Sequence, residues 1–290
     1  MKFLSFLFCW VLVASSLGQS GAGRGDPQTV SRVEVQFRLY RNYLIVVRGD
    51  LGFLEGLNFL VDTGANPTAV DMRIAEKLGL KGQSKKLELF DQSVLAEGVE
   101  LPTLQVGPLR AESLPAVVQD LSPVEHNLGV RIDAIVGLGI LSAENFTIDY
   151  DSKKIEFGEI EPLPFAVPFA TPPPTLTVQL RVGDQAMPLL LDTGAKDLLL
   201  FECSLPGHMR ELAALTINKS SSSKGVAFDV QEARLSKVRL GTAELGTMRV
   251  LVVPGKQTCG WGFAGVIGMS ALGFREIAFD FERKLFTFRK

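Results

Sequence analysis

The chain reads as an all-β protein built from two similar small lobes, and three observations predict it. First, Asp62-Thr63-Gly64-Ala65 recurs as Asp192-Thr193-Gly194-Ala195, and each copy closes an apolar run, Leu57–Val61 and Met187–Leu191. Second, the copies share downstream landmarks. Ile135-Val136-Gly137 ends 75 residues after the first Asp, Val266-Ile267-Gly268 ends 76 residues after the second, and each glycine is followed twelve residues later by an Asp (Asp149, Asp280) in an alternating strand. Third, short alternating apolar segments separated by turn signals dominate, whereas helical spacing is brief in both halves. A period this long is a duplicated domain rather than a short solenoid repeat.

In chain order, residues 1–18 carry Lys2, an apolar stretch from Phe3 to Ala14, and small residues at Ser16 and Gly18. This is the pattern of a secretory signal peptide, with an uncleaved anchor as the alternative. The segment 19–30 is rich in Gly and polar residues and reads as a flexible leader. Its Arg24-Gly25-Asp26 needs no adhesion role in such a composition. The first lobe is expected over residues 31–158. It opens with Val33, Val35, Phe37 and Leu39 alternating with polar residues, then a strand at Leu44–Val47. Met72–Leu78 has helical spacing and Gly79 is a suitable stop. Hairpins with charged turns are expected at Phe146–Phe157 and Ile277–Phe288. Residues 159–175 hold six prolines and read as the connector, since proline donates nothing to a sheet ladder. The second lobe is expected over 176–290, beginning with the alternation Leu176, Val178, Leu180 and carrying a polar stretch, Asn218–Gly225, read as an exposed loop.

The repeated motif carries chemistry only as a pair. A single Asp-Thr-Gly also makes an ordinary turn. Two carboxylates brought together share one proton, because like charges so close cannot both ionise. The ionised member takes a proton from water and the protonated member donates to a peptide carbonyl. Asp62 and Asp192 are therefore the candidate catalytic groups. Thr63 and Thr193 can hydrogen-bond across the interface between the turns. Gly64 and Gly194 let each turn close tightly, and Ala65 and Ala195 complete the two motifs.

On these residues the chain resembles the retropepsin-like and pepsin-like aspartic peptidases, and among them bacterial exported proteins with two such repeats in one chain. The resemblance spans both halves. It implies the acid-protease fold, two β-barrel lobes forming an internal pseudo-dimer around a cleft, with Asp62 and Asp192 catalytic and a peptide or protein as substrate. Such a protein works as a monomer with internal pseudo-two-fold symmetry. Pepsin-type relatives carry a tyrosine on a hairpin flap. The matching region here, Leu87–Val99, has none, because the only tyrosines are Tyr40, Tyr43 and Tyr150. Lys196 stands where retroviral relatives often have Asp, and it either faces the dyad or points to solvent. The competing reading is a catalytically silent peptide-binding or envelope-scaffold protein that keeps the fold, and a third is a duplicated β-domain that dimerises.

Composition narrows the rest. A formal net charge of −2 without a long basic run speaks against nucleic acid as the main partner. Past the amino-terminal stretch no segment is apolar enough to insert stably in a membrane, which leaves an exported chain, periplasmic or secreted. His126 and His208 sit in no metal motif, there is no Gly-x-Ser-x-Gly elbow and no phosphate-binding glycine loop, so no metal or cofactor is implied. Cys203 and Cys259 either form a disulfide or remain buried thiols.

Overall fold

The computed structural model describes residues 10–11, 32–88, 93–170, 175–207, 218–223, 226–255 and 260–290. The signal-peptide stretch apart from residues 10–11, the leader 19–30 with its Arg24-Gly25-Asp26, and Pro172–Pro174, His208 and Cys259 lie outside the described residues. The chain is mostly strand and forms two similar β-barrel lobes, as the duplicated pattern predicts.

Each lobe is organised around the strand that delivers its Asp. In the first, Leu54–Val61 runs parallel to Ala134–Val136, with Phe59, Leu60 and Val61 opposite Ala134, Ile135 and Val136. In the second, Gln185–Asp192 runs parallel to Gly265–Gly268, with Leu189 to Asp192 opposite Gly265 to Gly268. The two sequence landmarks of each repeat, 75 or 76 residues apart, thus lie side by side. Both faces of these central strands are covered, so their apolar runs are continuous rather than alternating. Phe59, Leu60, Leu189, Leu190 and Leu191 are all completely buried.

The landmark glycines are explained by close approach. A Cβ on Gly137 would stand 2.2 Å from the Ala65 carbonyl oxygen, and one on Gly268 would stand 2.4 Å from the Lys196 carbonyl carbon. In both lobes the glycine lets the Asp-bearing turn pack against the next strand. We therefore expect Gly137→Ala to displace the Ala65 turn and to cost about 3 kcal/mol in denaturant unfolding. A stability equal to that of the unsubstituted chain would show that the turn can yield.

A difference between the lobes has a simple cause. Buried Asp133 accepts from the Asn58 N–H at 2.9 Å. The corresponding backbone bonds are Asp133 N–H to the Asn58 carbonyl at 2.9 Å and Ala264 N–H to the Pro188 carbonyl at 2.7 Å. Pro188 has no N–H to satisfy, so the second lobe manages with Ala264 where the first uses an aspartate.

The lobes join through a six-stranded antiparallel sheet. Its order is Val33–Tyr40, Lys154–Phe157, Phe146–Asp149, Glu276–Asp280, Leu285–Arg289, Phe165–Ala170. The lobe boundary is the pair Phe146–Asp149 and Glu276–Asp280, with Phe146 opposite Phe279 and ring centroids 4.9 Å apart. Both predicted hairpins are present, and the repeated Asp explains their turns. Asp149 accepts from the N–H groups of Asp151 and Ser152, and Asp280 from that of Arg283. The proline-bearing stretch contributes the outermost strand, Phe165–Ala170, which then leads into the second barrel through Thr177–Val182.

The expected helix spans Met72–Lys77, capped by Asp71, whose side chain accepts from the Arg73 N–H, and followed by Gly79 at φ +64°. The polar stretch read as a loop is instead a strand over Asn218–Ser223, paired with the start of Val226–Leu240. The long partner strand supplies a hydrogen-bonding template that composition does not reveal. A hairpin, Gln83–Glu88 with Ser93–Leu101, occupies the region where a flap is expected. Trp10–Val11 pairs in parallel with Ala65–Asn66 beside the first motif turn.

Candidate active site

The two motif turns meet at the centre of the molecule. Asp62, Thr63, Asp192 and Thr193 are each completely buried, a placement that charged residues tolerate only when partnered. Their partners are one another. The Thr63 hydroxyl donates to the Leu191 carbonyl at 2.9 Å and accepts from the Thr193 N–H at 3.1 Å. The Thr193 hydroxyl donates to the Val61 carbonyl at 3.0 Å and accepts from the Thr63 N–H at 3.0 Å. These four hydrogen bonds cross between the two turns and each threonine supplies the same pair, so the local two-fold relation is realised in detail.

Each carboxylate is held within its own turn. Gly64 N–H donates to Asp62 Oδ1 at 2.8 Å, and Gly194 N–H to Asp192 Oδ1 at 2.7 Å. The turns close through Ala65 N–H to the Asp62 carbonyl at 3.1 Å and Ala195 N–H to the Asp192 carbonyl at 3.3 Å. Gly194 also serves by its size, since a Cβ there would lie 2.6 Å from Asp62 Oδ2. Oδ2 of each aspartate takes no hydrogen bond from the described residues, and the two carboxyl groups lie within hydrogen-bonding reach of each other.

Burial and mutual repulsion set the proton affinity. Desolvation pushes Asp62 up to about 6, against the opposing effects of the neighbouring Asp192 carboxyl and the turn amides. Asp192 is likewise raised, by burial first and then by the Asp62 charge. The titrations belong to the pair, which therefore keeps a proton well above the ordinary carboxylate range.

All eight residues singled out by the sequence are brought together: Asp62, Thr63, Gly64 and Ala65 face Asp192, Thr193, Gly194 and Ala195. Lys196 is half-buried; burial raises the proton affinity of the neighbouring Asp197 carboxyl, with the charges of Arg249 and then Lys196 opposing that rise. Cys203 is disulfide-bonded, while Cys259 lies outside the described residues. His126 is exposed on the helix Ser122–Leu128. Among the described residues no group of three or more His, Cys, Asp or Glu side chains is placed to hold a metal ion.

The surroundings contain residues that sequence reasoning passed over. Asp197 lies five positions after Asp192 and accepts from Arg249 Nη1 at 2.9 Å, while Arg249 also grips Glu232 at 3.1 and 3.2 Å. Tyr43, 1% exposed, comes from the first lobe, yet its phenol feels the charges of Asp197 and Asp192. Asp197 could have been found by reading two letters past the second motif. Tyr43 had no local signal that would set it apart from other buried aromatic residues.

Two barrels joined by a shared sheet, with paired Asp-Thr-Gly turns at their contact, define the retropepsin-like class of two-lobed proteins. The aspartyl protease family model matches residues 49–140 and again residues 178–271, and the chain belongs to that family with two repeats in one polypeptide. A search of curated proteins returned no match to this chain.

Proposed function

We propose that the protein is an aspartic endopeptidase that hydrolyses peptide bonds with water activated by the Asp62/Asp192 dyad. The observation that carries the reading is the contact of two buried carboxyl groups, each with one oxygen fixed by its own turn and the other uncommitted to the surrounding protein. That arrangement offers one proton acceptor for water and one donor for the scissile carbonyl within a rigid frame. A peptide-binding protein gains nothing from confining two ionisable groups in this way, because burying charge is costly.

The substrate in this reading is an extended peptide. The Ala65–Asn66 edge beside the first catalytic turn accepts a parallel strand, as its pairing with Trp10–Val11 illustrates. The lobes act as residues 31–158 and 176–290 of one monomer, and residues 1–18 direct export, so cutting takes place in the periplasm or outside the cell. Among the described residues no helix is long and apolar enough to cross a membrane.

The test is digestion of a peptide library by pure protein across a broad pH range, with and without pepstatin. Cleavage that pepstatin blocks, and that extends towards pH 6 because the pair retains its proton there, is the expected result. No cleavage at any pH would favour the silent peptide-binding alternative.

A further inference from the structure

We propose that the chain's own amino-terminal apolar run is a built-in occupant of the substrate groove, a tethered strand that competes with peptide until it is withdrawn. The proposal rests on the peptidase reading above and adds to it the class of peptide taken, extended segments of aromatic and aliphatic residues. Its warrant is a backbone pairing. Trp10 and Val11 run parallel to the first motif edge, Trp10 opposite Ala65 and Val11 opposite Asn66. Ala65 is the last residue of that motif, and its N–H closes the turn onto the Asp62 carbonyl at 3.1 Å. The paired edge therefore belongs to the turn that carries the aspartate. The same two residues approach Gln83–Glu88, with Cα–Cα separations within 8 Å. That strand is half of the hairpin standing where a flap is expected, and Ala96 on the other half packs against the buried cluster containing Ala65. The segment thus has the motif edge and the hairpin as its two neighbours.

The sequence around this pair suits a strand. Phe6, Leu7 and Phe8 precede it, Leu12 and Val13 follow it, and the run from Phe3 to Ala14 holds no charge and no proline. Every N–H in it can enter a ladder, and aromatic and β-branched residues favour the extended form. Two paired residues are worth little alone, since each backbone bond contributes about 1 kcal/mol net. Tethering changes the balance. Joined to the same chain, the strand meets its edge at an effective concentration of about 1 mM, so a segment that binds at about 0.1 mM when free is held about ten-fold over release. The block is one-sided. Among the described residues no strand pairs with Ala195–Lys196, the equivalent edge of the second motif. In this reading residues 1–18 also direct export, so the block is lost with the segment, and cutting begins where that segment has been removed.

The experiment uses the full chain with a recognition sequence for an added protease placed within residues 20–26, assayed intact and again after cutting and removal of the severed segment. Severing is expected to lower KM for the best library peptide about ten-fold with kcat changed less than about two-fold, the mark of a competing occupant. In the uncut chain Val11→Pro, which removes a ladder N–H, should lower KM in the same way, whereas Val11→Ala keeps the backbone and should stay within about two-fold of the wild type. A labelled peptide of the sequence Phe6–Val13, followed by fluorescence anisotropy, supplies an answer that does not need turnover. It should bind the severed chain about ten-fold more tightly than the intact one, and its counterpart with proline in place of Val11 should bind neither. If the protein cleaves nothing, the peptidase reading fails by itself, and the anisotropy still decides whether the segment holds the groove. Equal KM and equal peptide affinity before and after severing would overturn the proposal, as would a change confined to kcat or equal binding of the two peptides.

Discussion

Replacing Asp62 by asparagine is expected to abolish cleavage and, at neutral pH, to make the folded chain more stable. The loss in kcat should reach about 10³- to 10⁴-fold, because an amide can neither take a proton from water nor return one to the leaving amine. The gain in stability follows from the same burial that prepares the site. Asp62 is raised from the ordinary carboxylate value to about 6 by desolvation. A carboxyl group whose proton affinity is higher in the folded than in the unfolded chain favours folding fully below its unfolded value, near pH 4. That contribution is lost as the pH rises through the raised value. At pH 7 the unsubstituted chain therefore carries a charge-burial penalty, shared by the pair, that Asp62→Asn escapes. Asparagine keeps the Oδ1 acceptor for the Gly64 N–H and adds an amide able to donate to Asp192. Thermal unfolding of both proteins at pH 4 and pH 7 checks this, with the stability difference expected to grow with pH. An equal difference at both values would mean that the pair bears no charge-related strain.

Removing the Thr63 hydroxyl should give the largest structural loss at the site. Thr63→Val leaves the Leu191 carbonyl without its donor and the Thr193 N–H without its acceptor, both in completely buried surroundings. Each unpaired group costs about 1–3 kcal/mol, so a total of about 2–5 kcal/mol is expected in denaturant unfolding. Thr63→Ser keeps the hydroxyl and should recover most of it. The double substitution Thr63→Val, Thr193→Val should cost less than the sum of the two single ones, because the bonds form one network. A Thr63→Val chain as stable as Thr63→Ser would show that the crossing bonds are replaceable.

The two motif turns were legible in the sequence because duplication prints its constraints twice. The glycines at 137 and 268 recur because each motif turn packs where a side chain would collide, and the aspartates at 149 and 280 recur because each fixes a hairpin turn. Features that belong to one repeat only escaped the reading. Asn218–Ser223 has the composition of a loop, and its strand exists because a longer strand lies beside it. Asp133 answers an N–H that the second lobe lacks at Pro188. Thr63 and Thr193 exchange hydrogen bonds across 130 positions, a separation at which pattern and propensity say nothing beyond the repeat itself.

The sheet that fuses the halves, with Phe146 set against Phe279, has an evolutionary consequence. In an assembly of two identical chains every substitution appears on both sides of the bound peptide, so neither flank can specialise. Here each flank mutates independently. Asn66-Pro67 follows one motif and Lys196-Asp197 the other, so the two turns already carry different chemistry, a divergence that a pair of identical chains can never reach.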